Sequence, residues 1–219
     1  MDYQSELKST SQSVQPHKFF EKFLDNDLEK LSNDLRFRYE KIKDAEMLGV
    51  TPLTNDELWL DSNSVSTMKW RQYNVFQFHT LEIYNLYLGI RDLVKEACEY
   101  YEINFEEQKY MLQGWFNINN NSKGGKLDWH DHGLQGAPDF HGYYCVNAEP
   151  SETHYITTQG PKINVNKNNR LVISEMGHPH AMGDWDWDGD RITIAYDILP
   201  IREVEGFGIE NEQHWVPLA

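Results

Sequence analysis

From Met111 onward the chain breaks into short segments of β-favouring residues cut apart by Gly, Pro and Asn, and this punctuation limits the fold more than any other feature. The segments are Met111–Ile118, Leu127–His132, His141–Val146, His154–Thr158, Asn169–Ile173 and Arg191–Leu199, with Asn119-Asn120-Asn121-Ser122-Lys123-Gly124-Gly125 as the first turn. Short strands at such spacing predict an antiparallel sandwich or barrel.

The first half reads differently. Residues 1–15 are polar and Ser/Gln-rich, which predicts a mobile lead-in. Phe20, Leu24, Leu28, Leu31 and Leu35 recur at helical spacing after Pro16, predicting an amphipathic helix that runs from Pro16 towards Ala45. Leu48 to Ser66 is a loop with an apolar island at Leu58-Trp59-Leu60, and Lys69 to Phe78 reads as a strand. A second long helix carries Ile83, Leu86, Tyr87, Ile90, Leu93, Val94, Ala97 and Tyr101 on one stripe suited to cover a sheet. Gly89 inside it costs about 1 kcal/mol relative to Ala. The expected class is mainly β with N-terminal helices, in one domain over 16–219. Residues 16–108 would be support, 109–200 the core and 201–219 a tail.

With 35 acidic and 20 basic side chains, the net charge of −15 disfavours nucleic acid and anionic membrane surfaces as partners. It hints instead at a cationic substrate or a basic protein. Cys98 and Cys145 are too few for a disulfide framework or a thiolate zinc cluster, so a metal site here would use nitrogen and oxygen ligands. No run of about eighteen apolar residues occurs and the start lacks signal-peptide character, predicting a soluble, cytoplasmic protein.

Two histidine pairs carry the chemistry. On a strand, residues i and i+2 share a face, so His130 and His132 could point at one atom. His178 and His180 follow fifty residues later, and Arg191-Ile192-Thr193 comes eleven residues after His180. Two histidines and one further ligand, bound facially, leave open positions for a co-substrate and O2. The guanidinium fork of Arg191 suits a carboxylate, and Thr193 shares its face. His141, His154, His17, His79 and His214 lack partner spacing and read as strand or loop residues facing solvent or substrate. Asp184-Trp185-Asp186-Trp187-Asp188-Gly189 imitates an EF-hand opening, but Ala195 stands where the loop needs a bidentate Glu, so it reads as an acidic turn.

Trp115-Phe116-Asn117-Ile118, Trp129-His130-Asp131-His132, Gly142-Tyr143-Tyr144-Cys145-Val146, Leu171-Val172-Ile173 through Pro179-His180, and Arg191-Ile192-Thr193-Ile194 stand in a telling order. Together they resemble the 2-oxoglutarate- and Fe(II)-dependent dioxygenases, most closely small phage and bacterial members with a His-x-His first motif. The resemblance covers residues 111–199. It implies a double-stranded β-helix (a jelly-roll, cupin-like core) flanked by the two long helices, with Fe(II) at its open end and 2-oxoglutarate as co-substrate. His130 matches the first iron ligand and His180 the distal one, with His178 a competitor. Arg191 matches the partner of the far carboxylate of 2-oxoglutarate, Thr193 the hydroxyl residue beside it, and Tyr144 a residue of the co-substrate pocket. His132 departs from the family's usual His-x-Asp or His-x-Glu, so the third ligand stays open between His132, Asp131 and Asp128. Its bulk leaves no room for the halide of related halogenases.

The implied activity is hydroxylation of an unidentified small molecule or protein by O2, releasing succinate and CO2. The alternatives are a cupin-like three-His metal enzyme without the oxo acid, and a non-catalytic jelly-roll binding module.

Overall fold

The computed structural model describes residues 16–48, 65–70, 73–120, 128–132, 136–183, 185–206 and 214–219. The expected lead-in at 1–15, the island Leu58-Trp59-Leu60 and most of the turn after Asn120 lie outside the described residues.

From Tyr110 the chain alternates between two facing sheets. Strands β3 (Tyr110–Asn120), β4 (Gly136–Asn147), β7 (Arg170–Met176) and β9 (Asp190–Pro200) enter the larger sheet, and β5 (Glu152–Thr157), β6 (Gly160–Val165) and β8 (His180–Met182) enter the smaller. The larger runs β1-β7-β4-β9-β3-β10, where β1 is Phe20–Phe23 and β10 Val216–Pro217, with β2 (Val65–Ser66) added on β3. The smaller runs β6-β5-β8, extended by a single bridge between His130 and His180. Two sheets threaded in this alternating order form a double-stranded β-helix.

Residue parity decides what each strand offers to either side. Along β9, Ile192, Ile194, Tyr196 and Ile198 join a core shared with Phe116, Leu171, Ile173 and the helical layer. Ala195 joins a second core between the sheets, with Trp115, Tyr143, Cys145, Tyr155 and Val172. Arg191, Thr193 and Asp197 share the face of Ala195 and so line the space between the sheets.

Helix α1 spans Leu28–Met47 and α2 spans Leu81–Tyr100. The second begins at Thr80, whose hydroxyl accepts the Ile83 N–H, and buries Leu86, Ile90, Leu93, Val94 and Ala97 against the larger sheet. Gly89 has a packing reason for its conformational cost: a Cβ there would stand 2.9 Å from Leu24 and 3.0 Å from Leu171. Short helices α3 (Phe105–Gln108) and α4 (Ile201–Gly206) bracket β3 and β9 in sequence.

Three expectations are corrected. The first helix does not begin at Pro16: Phe20 to Phe23 pair with Ile173 to Arg170 as an edge strand, and the helix starts at Leu28, where Asp27 Oδ1 accepts the Lys30 N–H at 3.0 Å. An apolar residue every fourth position satisfied both a helix and the burial of Phe20 in the core. The strand expected at Lys69–Phe78 is absent among the described residues. Two 3-10 turns, Thr67–Lys69 and Val75–Gln77, stand there, the second capped by Asn74. Leu127–His132 is not a regular strand: of residues 128–132 only His130 bridges. The remaining expected strands appear within a few residues of their expected ends.

Candidate metal centre

Four imidazoles meet at one end of the space between the sheets. His130 and His132 come from the segment after β3, His141 from β4 and His180 from the start of β8. Ring centroids lie 4.3 Å apart for His130 and His180, 3.9 Å for His132 and His141, 4.7 Å for His141 and His180, and 5.6 Å for His130 and His132. One ligand atom from each of His130, His132 and His180 lies within 4.8 Å of the others; His132, His141 and Asp197 form a second, overlapping group.

Each ring is held by its Nδ1. That of His130 bonds the Asp128 carbonyl at 2.8 Å, and that of His180 the His178 carbonyl at 3.0 Å. Those of His132 and His141 both meet Asp197 Oδ1, at 2.7 and 3.1 Å. A ring whose Nδ1–H is given to an oxygen carries its lone pair on Nε2, which is how metal-binding histidines are oriented. Register supplies the carboxylate: Asp197 and His141 are direct cross-strand partners on β9 and β4.

Burial keeps the rings of His130, His141 and His180 uncharged. Desolvation, followed by the neighbouring His132, lowers His130 and His141 to about 4, and desolvation with the other imidazoles holds His180 well below its ordinary value. For Asp197, burial works to raise the pKa, but His132 and His141 outweigh it and hold the carboxyl well below the usual carboxylate range. At His130, His141 and His180 the site therefore presents neutral imidazoles, and at Asp197 an ionised carboxylate, the protonation states a divalent cation requires. Trp115 stacks on His132 at 5.7 Å and Tyr155 on His180 at 5.2 Å, walling the rings with aromatic surface.

Arg191 lies further along the same face of β9, six residues and about 20 Å of extended backbone from Asp197. Its Nε donates to Ser151 Oγ at 3.0 Å, and its NH1 lies 3.5 Å from Thr193 Oγ1, two residues along the same strand. Ser151 also accepts from Asn166 Nδ2 at 2.9 Å, so the arginine rests on a supported hydroxyl. Arg191 is only 5 % exposed, and no carboxylate pairs with it among the described residues. Its ionisable neighbours are Cys145, Tyr143 and Tyr155. Burial pushes the Cys145 thiol up to about 11 and both phenols far above neutrality, so none supplies a counter-charge. A buried guanidinium without an anion costs several kcal/mol, on the order expected for an uncompensated interior charge.

The structure thus brings His130, His132 and His180 together and sets Arg191 and Thr193 on the face they share. It does not bring Tyr144 to them. That phenol donates to Asn169 Oδ1 and accepts from Asn26 Nδ2 at 3.2 Å on the helix-covered side; Tyr143, one residue earlier, faces the site. Asp128 and Asp131 are exposed and fall in neither ligand group of the site. His178 belongs to a different cluster. His141, read from sequence as a residue facing solvent or substrate, is buried among the rings, and Asp197 and Ser151 were missed. The parity of Arg191, Thr193 and Asp197 was a usable signal for Asp197; nothing local marked Ser151.

No protein-family model matches the sequence, and no curated protein matches it. Solved structures do. HygX from Streptomyces hygroscopicus, with nickel and 2-oxoglutarate bound, matches at a TM-score of 0.54 with 9% identity, covering 87% of each chain. SnoK, a non-haem alpha-ketoglutarate-dependent carbocyclase from nogalamycin biosynthesis, matches at 0.52 with 9% identity over 88% of this chain and 84% of its own. SnoN, an epimerase from the same biosynthesis, matches at 0.51 with 9% identity over 90% and 84%. At such identity the likeness establishes the fold that these proteins share, and the fold alone.

Proposed function

We propose that this chain is an Fe(II)- and 2-oxoglutarate-dependent dioxygenase that hydroxylates its substrate. The observation that carries this reading is Arg191: a buried cation without a counter-anion among the described residues, on the inner face that ends in the histidine cluster. The donor set fits the metal, since His130, His132 and His180 converge with Nδ1 of each already engaged. Bound iron would supply the oxidising power: 2-oxoglutarate and O2 yield succinate and CO2, with one oxygen atom entering a substrate C–H bond.

The chain's own residues do the rest. Arg191 and Thr193 receive the far carboxylate of the oxo acid, the guanidinium neutralising it and setting its direction. Ser151 holds the arginine in place. Asp197 accepts from His132 and His141 and so fixes the tautomer and tilt of a ligand ring. Trp115, Tyr143 and Tyr155 exclude bulk water, which keeps the ion pair at Arg191 strong and protects the reacting centre. The substrate is a small molecule or a protein side chain; the chain's net charge of −15 favours a cationic one.

A nitrogen-only ligand set is the one feature favouring the second reading, a three-histidine metal enzyme without an oxo acid. Anaerobic titration of Fe(II)-loaded protein with 2-oxoglutarate separates them. The expected result is a weak visible charge-transfer band that Arg191→Ala weakens at least tenfold in apparent affinity. Iron binding without the band moves the second reading ahead, and failure to bind iron leaves a binding module.

A further inference from the structure

Behind His180 lies a second set of donors that the first site does not use. His17, just before β1, packs its ring at 4.0 Å from that of His178 in the turn between β7 and β8. Glu175, near the end of β7, places Oε1 3.3 Å from His178 Nε2. One ligand atom from each of the three lies within 4.8 Å of the others. All three side chains are at least nine-tenths buried, at 9 %, 4 % and 8 % exposure for His17, Glu175 and His178.

Their hydrogen bonding is incomplete. His17 Nε2, Glu175 Oε2 and His178 Nδ1 are each buried and have no hydrogen-bond partner among the described residues. An unsatisfied buried polar atom is costly, and a metal ion beside His178 Nε2 and Glu175 Oε1 could take up the lone pair of His17 Nε2. Desolvation, then His178 and Lys162, lowers His17 to about 3, which keeps its ring neutral and its lone pair available. Lys162 is a neighbouring cation, its ammonium 4.2 Å above the Phe19 ring.

We propose that His17, Glu175 and His178 form a second divalent-metal site, two imidazoles and one carboxylate suited to Zn(II), tying the segment before β1 to the β7–β8 turn. Metal bonds of about 2.0–2.2 Å in a tetrahedron separate ligand atoms by about 3.3–3.6 Å. The observed 3.3 Å between His178 and Glu175 already matches that edge, so His17 needs to close by little more than an ångström. Gly177, at φ +86, gives the chain the turn that brings Glu175 and His178 to one side. The His178 carbonyl also accepts from His180 Nδ1, so metal on the His178 ring steadies the backbone that aims His180.

The test is metal stoichiometry of untagged full-length protein, by equilibrium dialysis against Zn(II) with elemental analysis. Co(II) spectra serve as a second readout, since four-coordinate Co(II) absorbs far more strongly than octahedral Co(II). Wild type should take two equivalents. His17→Ala and the near-isosteric Glu175→Gln should each take one, and a His130→Ala/His180→Ala double variant should keep one and gain thermal stability from Zn(II). If neither His17→Ala nor Glu175→Gln lowers the stoichiometry, the cluster is a hydrogen-bonded pair with a ring packed edge-on against it and the proposal falls. If wild type takes a single equivalent that the double variant retains and His17→Ala loses, this site stands and the iron reading of the first site fails. Circular dichroism of the Glu175→Gln protein separates lost metal from lost fold.

Discussion

Asp197 shows how much one carboxylate can organise. Its Oδ1 faces Nδ1 of both His132 and His141, and removing it would leave two buried rings without the acceptor that sets their tautomer. Asp197→Ala should therefore weaken Fe(II) or Co(II) binding at the first site by roughly 10–100-fold, the usual effect of losing such a partner. A competition titration against a chelator measures this, and an unchanged affinity would sink the orienting role. Sequence gave access to part of this arrangement only. His130, His180 and Arg191 stand out because their types and order are unusual by themselves. Asp197 and His141 do not, since nothing in either local segment reveals that register sets them opposite each other. Tyr144 failed for the related reason that neighbouring tyrosines on a strand look alike until one knows which face meets the helices.

Elements were legible where one period dominated. The stripe of α2 and the alternation of β3, β4 and β9 were read within a few residues of their ends, while β1 and the 3-10 turns were not. Around Asn74 the aromatic and β-branched residues favour a strand locally, yet a side chain takes over the backbone bonding. Asn74 donates to the Leu112 and His214 carbonyls at 2.9 and 2.7 Å and accepts from Phe76 and Gly114 N–H at 3.1 Å each. It is fully buried, and it fastens the turn and the β10 edge to β3. Asn74→Ala would strand several of these groups at about 1–3 kcal/mol apiece, so a loss of about 3 kcal/mol or more is expected. Thermal unfolding checks it: a midpoint within a degree or two of wild type would mean that water or repacking replaces the bonds.

Across the whole molecule the buried imidazoles dictate the response to acid. His17 is lowered to about 3, His130 and His141 to about 4, and His180 well below 6.5. With folded values depressed, the unfolded chain takes up protons first, so this stabilisation is complete above about pH 6.5 and is lost as pH falls towards 4 and then 3. Asp197, also depressed, adds to the loss below its ordinary value of 3.8. Asp139 acts the other way: burial, with Glu203, raises it to about 6, so its contribution is present below 3.8 and lost as pH rises through 6. One carboxyl does not balance four imidazoles. Metal-free protein should therefore lose several kcal/mol between about pH 6.5 and 4, a large share of the 5–15 kcal/mol typical of a domain. Metal binding should steepen the slope further, because each ligand nitrogen must stay unprotonated to bind. Denaturant midpoints measured from pH 8 to 4, with chelator and with saturating Zn(II), decide it. A flat chelator curve above pH 4.5 would mean that the rings meet solvent in the free protein, and a zinc curve parallel to it would mean that no histidine holds metal.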